Sequence, residues 1–142
     1  MGGDEEKLRR GYGEDVSKWD KVVVMNDRVT ELLWYGKRLS GSVPEEIGAL
    51  SALTFLALYS NDLTGPLPLS LGNLTSLAML YLHDNYFSGP LPPSLSNLSN
   101  LHTLLLRYEN GVESNDFATG VPPAPLYQKK DEVQAYLATL KS

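Results

Sequence analysis

The chain has 142 residues, of which 42% are hydrophobic, so it is long enough for one domain with a buried core. Its formal net charge is −5 and it contains no cysteine. The acidic balance disfavours nucleic-acid binding, the missing cysteines exclude disulfides and cysteine zinc sites, and no apolar run approaches the roughly 18 residues of a membrane-spanning helix.

The first segment, residues 1–28, is predicted to be an N-terminal cap. Its opening residues are charged and lack the apolar segment of a secretory signal. The stretch WDKVVVMNDRVTELLW predicts two strands that are joined by a turn at Asn26. We expect Trp19, Val22 and Val24 to cover the first structural unit that follows.

The middle of the chain repeats itself with a period of 24 residues. The units run over 29–52, 53–76, 77–100 and 101–126, and the fourth contains an insertion near 109–116. The second, third and fourth units each begin with the pattern L-x-x-L-x-L. Its last two leucines are two residues apart, so both side chains point to the same side of a short strand. No unit can bury its apolar face alone, so stacked units must share one core and need caps at both ends.

An asparagine follows the strand in the second and third units, at Asn61 and Asn85. The chain must turn away from the strand there, and an amide can serve the free N–H and C=O groups of neighbouring turns. The sequence therefore predicts an asparagine ladder. In the fourth unit the period places Glu109 at this position, whereas the recognisable return, NDFATGVPP, comes about six residues later.

The last segment, residues 127–142, is predicted to be a capping helix. Val133, Tyr136, Leu137 and Leu140 recur at i, i+3, i+4 and i+7, which is the spacing of one helix face. This apolar face is expected to close the last unit of the repeat.

Residues that alternate with the core leucines are predicted to lie on the exposed, concave face of a parallel sheet. Neighbouring strands lie about 4.8 Å apart, so equivalent residues of successive units should touch. Tyrosine and arginine are enriched in binding hot spots, which favours a partner-binding surface; the alternative is that the aromatic rings only cover the sheet or pack on one another. The candidate binding residues are Tyr35, Phe55, Tyr59, Met79, Tyr81, His83, Asp84, Arg107 and Tyr108.

Catalytic and metal-binding motifs are missing from the sequence. It contains no G-x-S-x-G, H-E-x-x-H or Walker loop, and the acidic residues of the insertion lack calcium-loop spacing. His83 and His102 fall in predicted strands and are expected at the surface. We therefore predict a protein that is not an enzyme and that uses no cofactor and no metal.

Two N-glycosylation sequons occur, NLT at Asn73 and NLS at Asn97. Both coincide with the G-x-L-x-x-L pattern of the repeat itself. A structural origin is therefore the favoured interpretation of both motifs.

The stretches LSGSVP, LTGPLP and FSGPLP resemble the plant-type class of leucine-rich repeat, and the resemblance covers about Val29 to Asn110. It implies a concave parallel sheet and binding of proteins or peptides on that sheet. The segment WDKVVVMNDRVTEL is similar to the N-terminal cap of that class, but it has no cysteines and has Lys21 where the cap usually has glycine, which looks more like cysteine-free intracellular modules of algae and other protists. The tail GVPPAPLYQKKDEVQAYLATLK is similar to the linker before the GTPase domain in some Roco-type proteins.

The predicted fold is an α/β solenoid. It is a short leucine-rich repeat right-handed coil with a concave parallel β-sheet, an N-terminal β-hairpin cap and a C-terminal helical cap. The main functional hypothesis is a cytoplasmic, monomeric recognition or scaffold domain of a larger signalling protein, with a protein or peptide partner on the concave sheet and no nucleic-acid partner or membrane insertion. The alternative is a ligand-sensing, extracellular fragment of a leucine-rich repeat receptor.

Binding to ice or glycan is a third and more remote possibility. It would require a flat and regular array of threonine or aromatic side chains; Thr30 and Thr54 begin such a row, but Ala78 and His102 end it.

Overall fold

The computed structural model describes residues 22–107, 115–117 and 130–141. The described strands are β1 (Val22–Met25), β2 (Arg28–Leu33), β3 (Ser40–Gly41), β4 (Phe55–Ala57), β5 (Asp62–Gly65), β6 (Met79–Tyr81), β7 (Tyr86–Gly89), β8 (Thr103–Leu105) and β9 (Asp116–Phe117). Three-ten segments at Glu45–Ala49, Leu69–Asn73 and Pro93–Asn97 form the return legs, and helix α1 (Lys130–Ala138) is followed by a three-ten turn at Thr139–Lys141.

The main sheet has the order β1-β2-β4-β6-β8. Strands β2, β4, β6 and β8 are parallel, and each residue pairs with the residue 24 positions later, as in the row of Leu32, Leu56, Leu80 and Leu104. All four leucines are buried, because every strand turns the same side toward the interior. The predicted leucine-rich repeat solenoid with a parallel sheet is confirmed.

The predicted N-terminal hairpin is also confirmed, since β1 pairs antiparallel with β2. Asn26 and Asp27 join the two strands with φ values of 52° and 63°, the left-handed geometry that two-residue hairpin turns favour. The register shifts between Val23 and Val24, and this bulge changes which side of the strand faces inward. Val22 packs against the core, but Val24 is 42% exposed, so its predicted covering role is wrong; Trp19 lies outside the described residues.

A second sheet, with the order β3-β5-β7-β9, runs behind the first and was not predicted from the sequence. Three of its four strands, β3, β5 and β7, end at glycines, with φ values of 84° for Gly41, 78° for Gly65 and 80° for Gly89. Only glycine adopts this conformation without a steric penalty. The glycine of each LSGS, LTGP or FSGP stretch is therefore required by the turn that leaves the second sheet.

Asparagine amides join successive coils between the two sheets. The Oδ1 atom of Asn61 accepts hydrogen bonds from the backbone N–H groups of Lys37 and Leu39, at 2.9 and 3.1 Å. Its Nδ2 atom donates to the carbonyl oxygens of Trp34 and Leu58, at 2.7 and 2.9 Å. Each asparagine thus satisfies backbone groups of its own coil and of the preceding coil.

Asn85 repeats this arrangement one coil later. Its Oδ1 atom accepts from the N–H of Leu63 at 3.1 Å, and its Nδ2 atom donates to the carbonyl oxygen of Leu58 at 2.8 Å. Asn115 holds the same place in the fourth coil, where it accepts from the N–H of Phe87 at 2.9 Å. Glu109, which the period places there, lies outside the described residues.

Helix α1 covers the last coil, as the prediction of a helical cap requires. Val133 and Leu137 are fully buried, and Tyr136 and Leu140 pack against the same core while partly exposed. The Nε2 atom of Gln134 donates to the carbonyl oxygens of Leu98 and Leu101, at 2.9 and 2.8 Å. The helix therefore supplies both apolar cover and a donor for carbonyls at the end of the stack.

Candidate functional site

The outer face of the main sheet is the side opposite the buried leucines, and the sequence predicts that it is concave. Two columns of side chains cross it from coil to coil, because the strands pair in the 24-residue register. The first column consists of Glu31, Phe55, Met79 and Thr103, and the second of Leu33, Ala57, Tyr81 and Leu105. Candidate residues that are far apart in sequence are thus direct neighbours in the fold.

A third column lies just beyond the carboxyl ends of the strands and forms a continuous stack of rings. The ring centroids of Tyr35 and Tyr59 are 4.8 Å apart, with 4° between the planes, and those of Tyr59 and His83 are 4.7 Å apart, with 8° between the planes. The backbone holds this spacing, because the N–H of Gly36 donates to the carbonyl oxygen of Tyr59 and the N–H of Ser60 donates to that of His83, both at 3.2 Å.

Phe55 and Tyr81 extend the stack across the outer face. Their rings meet edge to face at 5.0 Å, and Tyr81 also lies 6.1 Å from Tyr59 and 6.2 Å from His83. The Tyr81 hydroxyl lies 4.0 Å from the sulfur of Met79. We call Tyr35, Phe55, Tyr59, Tyr81 and His83 the ring cluster.

Burial within the ring cluster is uneven. The tyrosines and Phe55 are half-buried, whereas His83 is only 9% exposed, so the predicted surface position of this histidine is wrong. Ring packing is the reason, since His83 lies against Tyr59 on one side of the column. The rings pack on one another and, at the same time, keep part of their surface open to solvent.

The column after the ring stack is controlled by backbone conformation. Gly36, Ser60 and Asp84 have φ values of 66°, 58° and 57°, in the left-handed region. Each coil must turn there to leave the main sheet, and aspartate is one of the side chains that tolerate this region. The presence of Asp84 at the edge of the candidate site is therefore explained in part by the turn.

Arg107 lies at the far end of the outer face, beside the capping helix. It is half-buried, and its Nε atom is buried without a hydrogen-bond partner in the part of the chain that the structure describes. Burial raises the pKa of the Tyr136 hydroxyl in α1, and the nearby positive charge of Arg107 acts in the opposite direction. Arg107 therefore interacts with the cap, and Tyr108, the last candidate residue, lies outside the described residues.

A shallow groove lies on another side of the coil, and it was not predicted from the sequence. It has a volume of about 670 Å³ and lies between the extended proline segments of three coils, including Pro44, Pro68 and Pro92. The recurring GSVP and GPLP stretches of the sequence form it. Leu69, at its rim, is 64% exposed and provides a reference position away from the ring cluster.

Within the described ranges, 22–107, 115–117 and 130–141, no three histidine, cysteine, aspartate or glutamate side chains converge to hold a metal ion. The helix in these ranges is too short and too polar to cross a membrane.

The Leucine Rich Repeat family model matches residues 52–74 and 76–98, which are the second and third coils. No curated protein sequence matches the chain at a significant level. The likeness to known proteins therefore rests on the two matched repeats and on solved structures.

The solved structures that are similar to this chain include three plant proteins. The ectodomain of the membrane receptor kinase GASSHO1/SCHENGEN3 from Arabidopsis thaliana, in complex with CASPARIAN STRIP INTEGRITY FACTOR 2, is 36% identical with a TM-score of 0.57 over 62% of this chain and 10% of the receptor chain. The ectodomain of the receptor kinase SOBIR1 from the same plant is 27% identical, with a TM-score of 0.68 over 82% of this chain and 69% of that one. A plant ice-binding protein is 26% identical, with a TM-score of 0.61 over 82% of this chain and 49% of that one.

Residues 52–74 and 76–98 thus match leucine-rich repeats, and the fold is similar to the ectodomains of two plant receptor kinases. The chain spans only about 10% of the length of the GASSHO1/SCHENGEN3 chain that it matches. The predicted cytoplasmic location finds no support in this comparison, since the two receptor structures are ectodomains.

Proposed function

We propose that this chain is a ligand-binding module and that the ring cluster on the outer face of its main sheet is the binding site for a protein or peptide. The observation that carries the proposal is the continuous stack of Tyr35, Tyr59 and His83 with Phe55 and Tyr81 beside it. Aromatic side chains that are grouped and partly desolvated are the usual anchors of protein interfaces.

Mutual packing makes this surface suitable for binding. The rings are held by their neighbours before a ligand arrives, so little side-chain entropy would be lost on association. Tyrosine also combines a large apolar surface with a hydroxyl that can donate or accept a hydrogen bond. An extended peptide lying across the strands would meet apolar ring surface and hydroxyl groups together.

Of the two cellular settings predicted, we favour the ectodomain of a receptor, in which the module senses an extracellular ligand. The resemblance to receptor kinase ectodomains supports this choice over a scaffold domain of a Roco-type protein. The full-length coding sequence distinguishes the two settings. A secretion signal or a membrane-spanning segment would support the receptor, and a GTPase domain after Ser142 would support the Roco-type protein.

A display experiment tests the site itself. A random peptide library is selected on the immobilised chain alone, and the selected peptides are then measured on the unchanged chain and on a folded Tyr59→Ala/Tyr81→Ala variant. The proposal predicts peptides that bind the unchanged chain and lose binding to the variant. Peptides that bind both proteins equally well, in every independent selection, would contradict it.

Radical footprinting then locates the selected peptide. Tyr81 and Met79 should become protected from oxidation when the peptide is bound, since they belong to or adjoin the ring cluster. Tyr86, which is 55% exposed on β7 of the second sheet, serves as the internal control and should remain reactive.

Ice binding is the second candidate function, and the likeness to a plant ice-binding protein is the observation that favours it. The Thr54 hydroxyl donates to the carbonyl oxygen of Thr30 at 3.0 Å, so the two threonines do stand in one row. Ala78 and His102 continue that row without a hydroxyl. Inhibition of ice recrystallisation by the purified chain, abolished by Thr54→Ala, would support this function instead.

A further inference from the structure

We propose that Asn73 and Asn97 are acceptor sites for N-linked oligosaccharides, a modification that is separate from ligand binding at the ring cluster. Each asparagine begins a sequon, Asn73-Leu74-Thr75 and Asn97-Leu98-Ser99. Each also ends the three-ten segment of its coil, at Leu69–Asn73 and Pro93–Asn97. The two sites therefore occupy the same place in successive coils.

The first coil shows that the repeat does not need an asparagine at this position. Its three-ten segment ends at Ala49, and the next residue, Leu50, has φ −84° and ψ 60°. The equivalent leucines of the other coils have nearly the same values, −81° and 61° at Leu74 and −81° and 69° at Leu98. Because alanine supports the same turn, the asparagine side chains are not explained by the backbone.

Hydrogen bonding also gives these two asparagine side chains no structural role. Asn73 and Asn97 are exposed, and their side-chain amides make no hydrogen bond with the described part of the chain. By contrast, the amide of Asn100, which is also exposed, donates to the carbonyl oxygen of Thr75 at 2.9 Å, and Asn61 and Asn85 are buried in the ladder. These two asparagines therefore lack the structural role that the other asparagines have, which weakens the interpretation that the repeat pattern alone produced the motifs.

The chemistry requires an oligosaccharide carried on a lipid pyrophosphate. The amide nitrogen of asparagine forms a bond to C1 of the first sugar and loses one proton, while the bond between C1 and the pyrophosphate oxygen breaks and the lipid pyrophosphate leaves. Leu74 and Leu98, in the middle of the sequons, are fully buried, so we infer that transfer precedes closure of the coil. In the folded chain the exposed asparagine keeps its sugar in solvent.

The sugars would not block the proposed binding site. The return legs lead into the amino ends of β6 and β8, whereas the ring stack lies beyond the carboxyl ends of the strands. A glycosylated chain can therefore bind a ligand at the ring cluster.

Mass spectrometry of the protein from its natural source tests the proposal. Tryptic peptides are treated with a glycan-releasing amidase in ¹⁸O water, which converts a glycosylated asparagine to labelled aspartate. We expect the label at Asn73 and Asn97 and not at Asn100, which precedes Leu101 and His102 and so lacks a sequon. Unmodified Asn73 and Asn97 in the native peptides would overturn the proposal.

Secretion from a glycosylating eukaryotic host provides the second test. Asn73→Gln and Thr75→Ala should each remove one glycan from the intact mass, Asn97→Gln should remove the other, and Asn100→Gln should change neither. A folded and secreted chain that carries no glycan would overturn the proposal. Ligand binding is measured on unglycosylated bacterial protein, so failure of the ring-cluster site would be seen separately.

Discussion

The ring of Tyr59 lies parallel to the ring of His83, one coil further on, with the centroids 4.7 Å apart. The same tyrosine stacks on Tyr35 of the preceding coil, so one side chain connects three coils on the outer face of the sheet. The rings therefore stabilise the solenoid and, in the proposed function, provide an ordered surface for a ligand.

Tyr59→Ala should destabilise the chain, because it removes two stacking contacts at once. An aromatic pair contributes about 0.5–1.5 kcal/mol beyond its area burial, so we expect a loss of about 1–3 kcal/mol in the free energy of unfolding. Tyr59→Phe keeps the stacked ring and is the matched control, with a smaller expected loss than Tyr59→Ala. Urea unfolding followed by circular dichroism measures both, and equal midpoints for the two variants would contradict the stacking argument.

Asn85→Ala should cost more than a surface substitution. It leaves the buried N–H of Leu63 without the amide oxygen that accepts from it, whereas the carbonyl oxygen of Leu58 keeps its bond from Asn61. One buried unsatisfied group costs about 1–3 kcal/mol, so we expect a loss of about that size in the free energy of unfolding.

Asn97→Ala is the control for the ladder variant, measured by urea unfolding of bacterial protein. Asn97 is exposed, and Ala49 supports the same turn in the first coil, so the change should stay within about 0.5 kcal/mol. A comparable loss in both variants would mean that the ladder has no special role.

Gly72→Ala tests the close approach of successive return legs. A Cβ atom built on Gly72 would lie 2.4 Å from the carbonyl oxygen of Ser94, a backbone atom that cannot move aside alone. Overpacking of this kind costs about 1–3 kcal/mol, and thermal unfolding should show it as a lower midpoint.

Ser96 is the residue at the same position in the next coil, and its side chain is accommodated there. Ser96→Ala should therefore leave the unfolding midpoint nearly unchanged. If Gly72→Ala were equally silent, the coils would have to separate more easily than the structure indicates.

Tyr136→Phe should alter how stability depends on alkaline pH. Burial raises the pKa of the Tyr136 hydroxyl above its ordinary value, so the folded chain holds this proton at pH values where the unfolded chain has lost it. The contribution is present below the unfolded pKa of about 10 and is lost as pH rises through the higher folded pKa. Stability of the unchanged chain should therefore fall more steeply above about pH 10 than that of Tyr136→Phe.

The control for this pH dependence is Tyr86→Phe at an exposed position of β7. Denaturant unfolding of the three proteins, repeated between pH 8 and pH 11, should give parallel curves for the unchanged chain and Tyr86→Phe. If the stability of Tyr136→Phe fell with pH in parallel with these two proteins, Tyr136 would not be the source of the loss of stability at alkaline pH.

The 24-residue period was sufficient to predict the main sheet and the terminal caps, because buried leucines must recur in register for coils to share a core. It missed the second sheet, whose strands are two to four residues long and carry little apolar alternation. The period alone places Glu109 at the fourth ladder position. The insertion moves that position to Asn115, the first residue of the recognised return NDFATGVPP, whose triplet Asn115-Asp116-Phe117 matches Asn61-Asp62-Leu63.

The site was predicted less completely than the fold, because the exposure of a side chain depends on contacts in the folded chain that the sequence pattern does not contain. The sequence grouped the rings but could not show that stacking buries His83. Arg107 lies near Tyr136 because of the way α1 packs on the last coil, and no local sequence pattern predicts that packing. The bulge between Val23 and Val24 likewise reversed an alternation that looked regular.

Calorimetric titration of a display-selected peptide into Tyr81→Ala and Leu69→Ala variants tests the central claim, that the ring cluster is the binding site. Both side chains are large; that of Tyr81 is half-buried and that of Leu69 is exposed. Only Tyr81 contacts Phe55 and belongs to the ring cluster. Loss of a hot-spot tyrosine costs about 2 kcal/mol or more, so Tyr81→Ala should weaken binding by about thirtyfold while Leu69→Ala binds like the unchanged chain. Undiminished affinity in a folded Tyr81→Ala variant, or an equal loss in Leu69→Ala, would contradict the claim.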